Sequence, residues 1–504
     1  MTVRRLPRAA AIVATALACA GLASLDDTVP VEPFTRIVDA PFGTDEGQSR
    51  GVAWGDVDGD GDLDLYVANT GGQWSFLYRN DGGGRFTKLR GHETVRRPAN
   101  AEGVSWVDVD NDGRLDLFVA AIDSQPSLLF VQRDTGFVRV AGDPLVAERA
   151  STTMGCWADY DGDGWLDVYV VRRDGQDDAL FRNTGGGHFA RVDAAPFAGS
   201  GGEGRACGVG DVDGDGDADL VVANAQQPRF VLRNDGAMRF TRLEDGPAAT
   251  TVSYAYGVSL ADWDGDGDAD LLVTNIDRPN TLYRNDGRGR FTTDAVPPLT
   301  TDSGGASKGH AWGDWDDDGD LDLFIANGTY RPGMVNWLYW NEGGRWVRET
   351  RGRIATDADT SAGVAAGDYD GDGDLDLFVA NWGSGDEPNA LYRNDVARGH
   401  WIVVRPEGRR SNRMGIGVRL RVRATLRGRS TTQTRWNYPS TGYGSANAPE
   451  LHVGLGDARV VDTLELRWPS GQVDVHVAVP ADHAWRAVEG EPRLRPEPAA
   501  RTAS

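Results

Sequence analysis

Cysteine and histidine are scarce in this 504-residue chain, with three of the former and seven of the latter. A zinc framework would need more of both, so any metal falls to oxygen donors. Lysine is rarer still: Lys88 and Lys308 stand alone, and arginine supplies the rest of the 52 basic residues. The formal net charge is -24, which argues against nucleic acid as a partner of the acidic region. Past residue 20 no apolar run is long enough to cross a bilayer. There is no Gly-x-Ser-x-Gly elbow, no His-Glu-x-x-His pair and no phosphate loop, and the histidines are scattered, so no catalytic motif stands out.

Aspartate and glycine are abundant, and they fall into one recurring nine-residue loop. Its first copy places acids at Asp56, Asp58, Asp60, Asp62 and Asp64. The second has Asp108, Asp110, Asp112 and Asp116 with Arg114 at position 7, and the third has Asp159, Asp161, Asp163 and Asp167 with Trp165 there. The remaining four follow the first: Asp211, Asp213, Asp215, Asp217 and Asp219; Asp262, Asp264, Asp266, Asp268 and Asp270; Asp314, Asp316, Asp318, Asp320 and Asp322; Asp368, Asp370, Asp372, Asp374 and Asp376. Arg and Trp side chains cannot ligate a hard cation, so position 7 offers its backbone carbonyl. Gly at position 6, Gly61 in the first copy, allows a sharp turn at positive φ. Several carboxylates plus one carbonyl suit Ca²⁺, about seven ions in all, better than Zn²⁺ or the water-retaining Mg²⁺. Seven divalent cations would cancel more than half of the net charge. The apolar residues after the first loop, Leu63, Leu65 and Val67, alternate as in a strand and not at helical spacing, so an EF-hand fits poorly.

The copies are spaced by about 52 residues, the size of one four-stranded blade. Residues 51–55 read as an inner strand, the loop as its hairpin turn, 63–69 as a second strand and 76–80 as a third; Asp81-Gly82 turns into a fourth at Phe86. That fourth-strand aromatic returns at Phe137, Phe189, Phe240, Phe291 and Trp346 but is missing after the seventh loop. Phe34-Thr35-Arg36 stands upstream with no blade of its own, so an N-terminal strand is expected to complete blade seven. The expected fold is all-β: a seven-bladed β-propeller over residues 31–398, then a small β-sandwich-like domain over 400–489 and a disordered Pro/Arg/Ala-rich tail over 490–504.

Arg4, Arg5 and Arg8 precede an apolar run from Ala9 to Ala20, which reads as an export signal over residues 1–24 and predicts a secreted, periplasmic or surface-held protein. Cys19 lies where a lipoprotein cysteine could, although Ala16 fills the position that wants Leu. Cys156 and Cys207 precede their loops by three and four residues; this opposite strand parity favours two buried thiols over a bond.

The repeats, with their Asp-Gly-Asp-Gly loops and Leu-Tyr-Arg-Asn strands, resemble FG-GAP/VCBS repeats. Asn412-Arg413-Met414-Gly415-Ile416-Gly417, Tyr443, Leu451-His452-Val453-Gly454-Leu455-Gly456 and Trp468-Pro469-Ser470-Gly471 resemble the ASPIC/UnbV domain, and the whole resembles the cartilage acidic protein family and its bacterial relatives. The resemblance implies a secreted calcium-binding propeller with a small β domain and no defined chemistry. The stretch Ser440 to Ser445 matches the family pattern only loosely. Alternation in Val418-Arg419-Leu420-Arg421-Val422-Arg423 predicts a strand with a solvated Arg face, or one that docks on the acidic repeats or an anionic polymer.

Six residues before each first Asp stand Arg50, Glu102, Thr153, Arg205, Tyr256, Lys308 and Ala362, which the repeat brings together at a channel mouth opposite the metals. His310 shares a strand side with Lys308, and Glu203 and Tyr254 lie two residues before Arg205 and Tyr256. Two functional classes fit. One is a monomeric extracellular recognition, adhesion or scaffold module with structural calcium, whose partner is a cell-surface polysaccharide or protein. The other is a lyase or hydrolase of a saccharide or small metabolite, with Lys308, His310, Tyr256, Glu102 and Arg205 as acid/base and charge candidates. The first is favoured, because no pairing among the mouth groups forms a motif.

Overall fold

A computed structural model describes residues 32–193, 196, 201–328, 333–383, 387–396 and 399–497. The expected export signal, Cys19 and Arg398 lie outside these residues. In the first repeat β2 (Ser49–Gly55), β3 (Asp64–Asn69), β4 (Phe76–Asn80) and β5 (Phe86–Lys88) pair antiparallel in sequence order, and the acidic loop is the β2–β3 turn. Side chains alternate across each sheet, and β2 and β3 are buried on both faces because another sheet lies on either side. The same arrangement recurs with first strands Ala101–Val107, Thr152–Ala158, Gly204–Gly210, Val252–Ala261, Ser307–Gly313 and Ser361–Gly367.

These first strands touch one another in chain order, and the seventh returns to touch β2. The apolar cores follow suit, each drawing on neighbouring repeats: Trp54, Leu65 and Phe42 of the first pack with Phe378 and Leu391 of the seventh. The chain's first described strand, β1 (Phe34–Ile37), pairs with Ala390–Asn394 as the outermost strand of the seventh sheet. Phe34 is wholly buried there among Trp315, Phe324 and Leu377.

Cys156 and Cys207 form a disulfide, with Cα atoms 6.3 Å apart, which corrects the expectation of free thiols. Parity within one strand decides which face of its own sheet a residue occupies. Two sheets stacked face to face present opposite faces to each other, so opposite parity is the condition for contact and not a bar to it.

After the repeats, His400–Glu407 lies between Leu451–Gly456 and a parallel partner, His483–Val488, while Arg419–Leu426 lies between Arg429–Trp436 and Val460–Arg467. The two four-stranded sheets share a core of Ile402, Val404, Leu420, Val422, Leu464, Leu466 and Trp468. Arg421 and Arg423 face solvent, as alternation requires. The expected disordered tail is corrected in part: Arg495–Pro496 pairs with Trp485 and Arg486 as a short edge strand, and residues beyond 497 lie outside the described set.

Phe34→Ala should remove about 3–5 kcal/mol of stability, the cost of truncating a buried Phe at a site two repeats share. A urea melt reads it; a loss under 1 kcal/mol would mean that β1 is dispensable.

Candidate metal loops and the inner cluster

Each acidic loop is held open by its own carboxylates. Asp56 accepts the N–H groups of Gly59 (2.8 Å), Asp60 (3.1 Å) and Gly61 (3.0 Å), which wraps the chain around the carboxylate. Position 6 is left-handed in every copy, φ +98° at Gly61 and +104° at Gly319, as its glycine predicts. Position 4 is left-handed too: Gly59, Gly162, Gly214, Gly265 and Gly371 take it freely, and Asn111 and Asp317 belong to the types that tolerate it. The Gly/Asn/Asp restriction at position 4 was a readable signal of this second turn.

Position 9 is the deepest group. Asp64 accepts Val57 N–H at 2.9 Å from its own loop and Asn80 N–H at 2.8 Å from the third strand. Asp116, Asp167, Asp219, Asp322 and Asp376 repeat both bonds; Asp270 makes only the second, with Asn285. Burial above all, together with the neighbouring carboxylates, raises Asp64 to about 7, Asp116 to about 8 and Asp167 to about 9 despite these bonds.

Carboxylate oxygens of positions 1, 3 and 9 come within 4.8 Å of one another in the first four loops, and those of Asp262, Asp264 and Asp266 do so in the fifth. Among the described residues, buried oxygens of Asp110, Asp270 and Asp370 have no hydrogen-bond partner. Such convergence of desolvated, like-charged oxygens is stable with a hard cation between them and costly without one, so the residues fit Ca²⁺. Third-strand arginines supply part of the balancing charge: Arg182 reaches Asp161 at 2.5 Å, and Arg133 and Arg284 pair with Asp110 and Asp264.

The Asn that bonds position 9 has a second role. Asn80 Nδ2 donates to Leu63 O and, at 2.7 Å, to Tyr369 O in the loop of the seventh repeat. Gln132, Asn183, Asn234, Asn285, Asn341 and Asn394 likewise reach the position-2 carbonyl of the preceding repeat. These residues were visible as the last letter of the Leu-Tyr-Arg-Asn strands, but their link across repeats was not.

At the other end of the first strands, the seven residues expected at a mouth all sit in β-bulges. The register slips between Ser49 and Val52, Ala101 and Val104, Thr152 and Met154, Gly204 and Ala206, Ala255 and Val258, Ser307 and His310, and Ser361 and Val364. The bulge re-aims Arg50, Glu102, Thr153, Arg205, Tyr256 and Lys308. It also breaks the alternation that placed His310 beside Lys308. His310 Nε2 instead lies 2.6 Å from Ser259 Oγ, and burial pushes its pKa down to about 3. A glycine follows the bulge residue in five repeats because the backbones meet there: a Cβ on Gly309 would stand 2.4 Å from Ala362 O, and one on Gly363 2.1 Å from Arg50 O.

The tail domain reaches into this mouth, while Arg50, Arg173 and Trp382 still line an open cavity of about 510 Å³ there. Gly442-Tyr443-Gly444 enters between the bulges, its glycine carbonyls accepting Val258 N–H (3.3 Å) and Val104 N–H (3.0 Å). Cβ atoms on the two glycines would meet His310 O at 2.6 Å and Glu102 O at 2.9 Å, so no other residue fits on either side of the tyrosine. Tyr443 donates its hydroxyl proton to Glu102 and accepts from Arg50 Nη1 at 3.1 Å. Glu102 is fully buried and accepts from Arg50 at 3.0 Å and Arg173 at 3.1 Å. Lys308 Nζ lies 4.8–4.9 Å from the rings of Tyr443, Tyr256 and Trp382, and burial holds its pKa well below the lysine range. Arg205 stacks on Tyr256 at 5.3 Å and pairs with Glu203, and Tyr254 stacks on the same ring. Thr153 bonds Val171 O, and Ala362 contributes backbone alone. Three of the five candidate groups, Glu102, Lys308 and Tyr256, therefore converge on a side chain of the protein itself, and Arg205 joins them through Tyr256. Arg173 and Tyr443 are the members that sequence reasoning missed, since they come from a second strand and another domain.

Repeated antiparallel sheets, acidic hairpin loops and a small two-sheet domain plugged into the repeats define a propeller-like, all-β repeat protein. The FG-GAP-like repeat family matches residues 56–119, 159–222, 211–273, 262–325 and 314–379, and the ASPIC and UnbV family matches 408–493. The chain belongs to the family of FG-GAP repeat proteins with a C-terminal ASPIC/UnbV domain. It is 27% identical to cartilage acidic protein 1 of Mus musculus over 467 residues, 84% of this chain and 71% of that protein, and 26% identical to the Homo sapiens protein over 84% and 69%. Among solved structures it is similar to a lectin from Burkholderia pseudomallei, at 15% identity and TM-score 0.46 over 70% of this chain and 97% of that one. A lectin from Agrocybe aegerita follows at 17% and 0.42 over 65% and 81%.

Burial would raise the Glu102 carboxyl, but Arg50, Arg173 and the Tyr443 hydroxyl outweigh it and hold it at about 2. A depressed carboxylate stabilises the fold above its unfolded pKa, near 4.3, and the contribution fades only as pH falls from there towards 2. Tyr443→Phe should cost about 2 kcal/mol at pH 7, within the range for a bond to a charged group, with the deficit shrinking by pH 3. A Tyr443→Phe/Glu102→Gln double-mutant cycle in urea checks this; zero coupling would mean that the two groups act independently.

Proposed function

We propose that the protein is a secreted, calcium-binding recognition or scaffold module: a seven-bladed β-propeller closed by its N-terminal strand and capped by its C-terminal domain. The observation that carries this reading is the use of the inner cluster. Glu102, Lys308, Tyr256 and Arg50 are engaged with Tyr443, which supports a structural lock over the acid–base site of a lyase or hydrolase. Asp56, Asp58, Asp60 and Asp64, with the position-7 carbonyl, would hold one ion in the first repeat, and the equivalent residues would do so in the other six. Bound Ca²⁺ would supply positive charge where each hairpin loop brings its carboxylates together, and the loops hold those carboxylates in place through their own N–H groups.

Export is supported by the N-terminal Arg-then-apolar pattern and by the Cys156–Cys207 disulfide, a bond that persists in oxidising compartments. No helix among the described residues is long and apolar enough to cross a membrane. Recognition of a surface polysaccharide or protein falls to the exposed surfaces around the lock, since the lock itself is occupied.

Chelation should lower the melting temperature sharply, and Ca²⁺ should restore it better than Mg²⁺, because a ligand held at 100 times its Kd stabilises by about 2.7 kcal/mol per site. Asp161→Ala should lose one equivalent of Ca²⁺ by elemental analysis while Trp165→Ala keeps it, since only the latter leaves its ligand, a backbone carbonyl, in place. An unchanged melt after verified calcium removal would sink the reading.

A further inference from the structure

The tail domain sits on the face of the repeats that carries the acidic loops, and between them lies a cavity of about 150 Å³. Trp312, Trp436 and Tyr438 give it aromatic walls; Asp262, Arg435 and His452 give it polar ones. Among the described residues, Arg435 Nε, Trp436 Nε1 and His452 Nδ1 are buried without a hydrogen-bond partner. Buried polar atoms are nearly always paired, so this concentration in one cavity calls for a polar occupant.

The chemistry of the atoms narrows the occupant. Arg435 Nε–H and Trp436 Nε1–H only donate. His452 Nε2 lies 3.0 Å from Gly373 O, so it carries the hydrogen and leaves Nδ1 as an acceptor. The occupant must therefore accept from two N–H groups and donate to an imidazole nitrogen, which hydroxyl groups do together. An anion is disfavoured, because Arg435 already faces Asp262 and Asp314. Asp262 also belongs to a metal loop, but the pattern stands on Arg435, Trp436 and His452 without it. A volume near 150 Å³ takes one six-membered ring or about five waters. The aromatic faces favour the ring, since they bury carbon and leave the polar edge to the donors.

We propose that this cavity between the repeats and the tail domain binds one neutral polyhydroxylated molecule of monosaccharide size, oriented by Arg435, Trp436 and His452. The site is independent of the inner lock and does not require calcium binding to be correct.

Calorimetric titration of the full chain with D-glucose, D-galactose, D-xylose and myo-inositol tests it, with sucrose and maltose as oversized controls. At least one small probe should bind saturably at one site and neither disaccharide should. Trp436→Phe, which removes the N–H donor and keeps an aromatic face, should weaken binding about tenfold. Absence of saturable binding by all four small probes, equal binding by a disaccharide, or an unweakened Trp436→Phe overturns the proposal. If that variant loses the parent's melt, a crystal of the parent soaked in the probe that binds decides: sugar density in the cavity supports the site, and ordered water alone there, or sugar elsewhere, overturns it.

Discussion

The rest of the structure depends on a buried aspartate, the ninth residue of each loop, and the amide that meets it. Asp64 and five of its six counterparts bind a loop N–H and a third-strand N–H, while the Asn or Gln side chain on that strand reaches into the loop of the repeat before. One carboxylate thus fixes the hairpin, the third strand and, through the Asn, the spacing to the neighbouring sheet. The arrangement desolvates negative charge seven times over, and so the fold carries a standing electrostatic cost that arginines offset in part and a hard cation would offset further.

At the opposite end of the first strands the constraint is steric. Backbones converge closely enough in five repeats that a glycine stands beside the bulge residue, and in six the bulge residue is polar. Buried arginines and a lysine there need a counter-charge and a filler. Glu102 supplies the charge, and Tyr443, carried in by the tail domain on two glycines, supplies the filler. The tail is consequently part of the repeat domain's core. Ala446 even pairs with Ala53 of β2, and Arg435 is buried near Asp262 and Asp314 of the acidic loops.

Much of this was legible in one dimension because it is local and repeated. Loop positions 1, 3, 5 and 9, the glycine at position 6, the four-strand parse of each repeat and the homelessness of Phe34-Thr35-Arg36 are all properties of short segments compared with one another. Seven copies turn a weak pattern into a strong one. Position 4 and the terminal Asn were equally local but went unread, since nothing in a single repeat says that an Asn will bond a neighbour's carbonyl.

By itself the sequence determined the strand order within each repeat, the oxygen-donor character of the loops and the first-strand position that turns towards the centre, because alternation and loop geometry act over a few bonds. Only the tertiary structure decided that Cys156 meets Cys207, that a bulge parts His310 from Lys308, and that Tyr443 of the tail domain packs into the inner cluster. Each of those outcomes depends on how separate sheets are stacked. Stacking is set by side chains hundreds of residues apart, and no period within a strand encodes it.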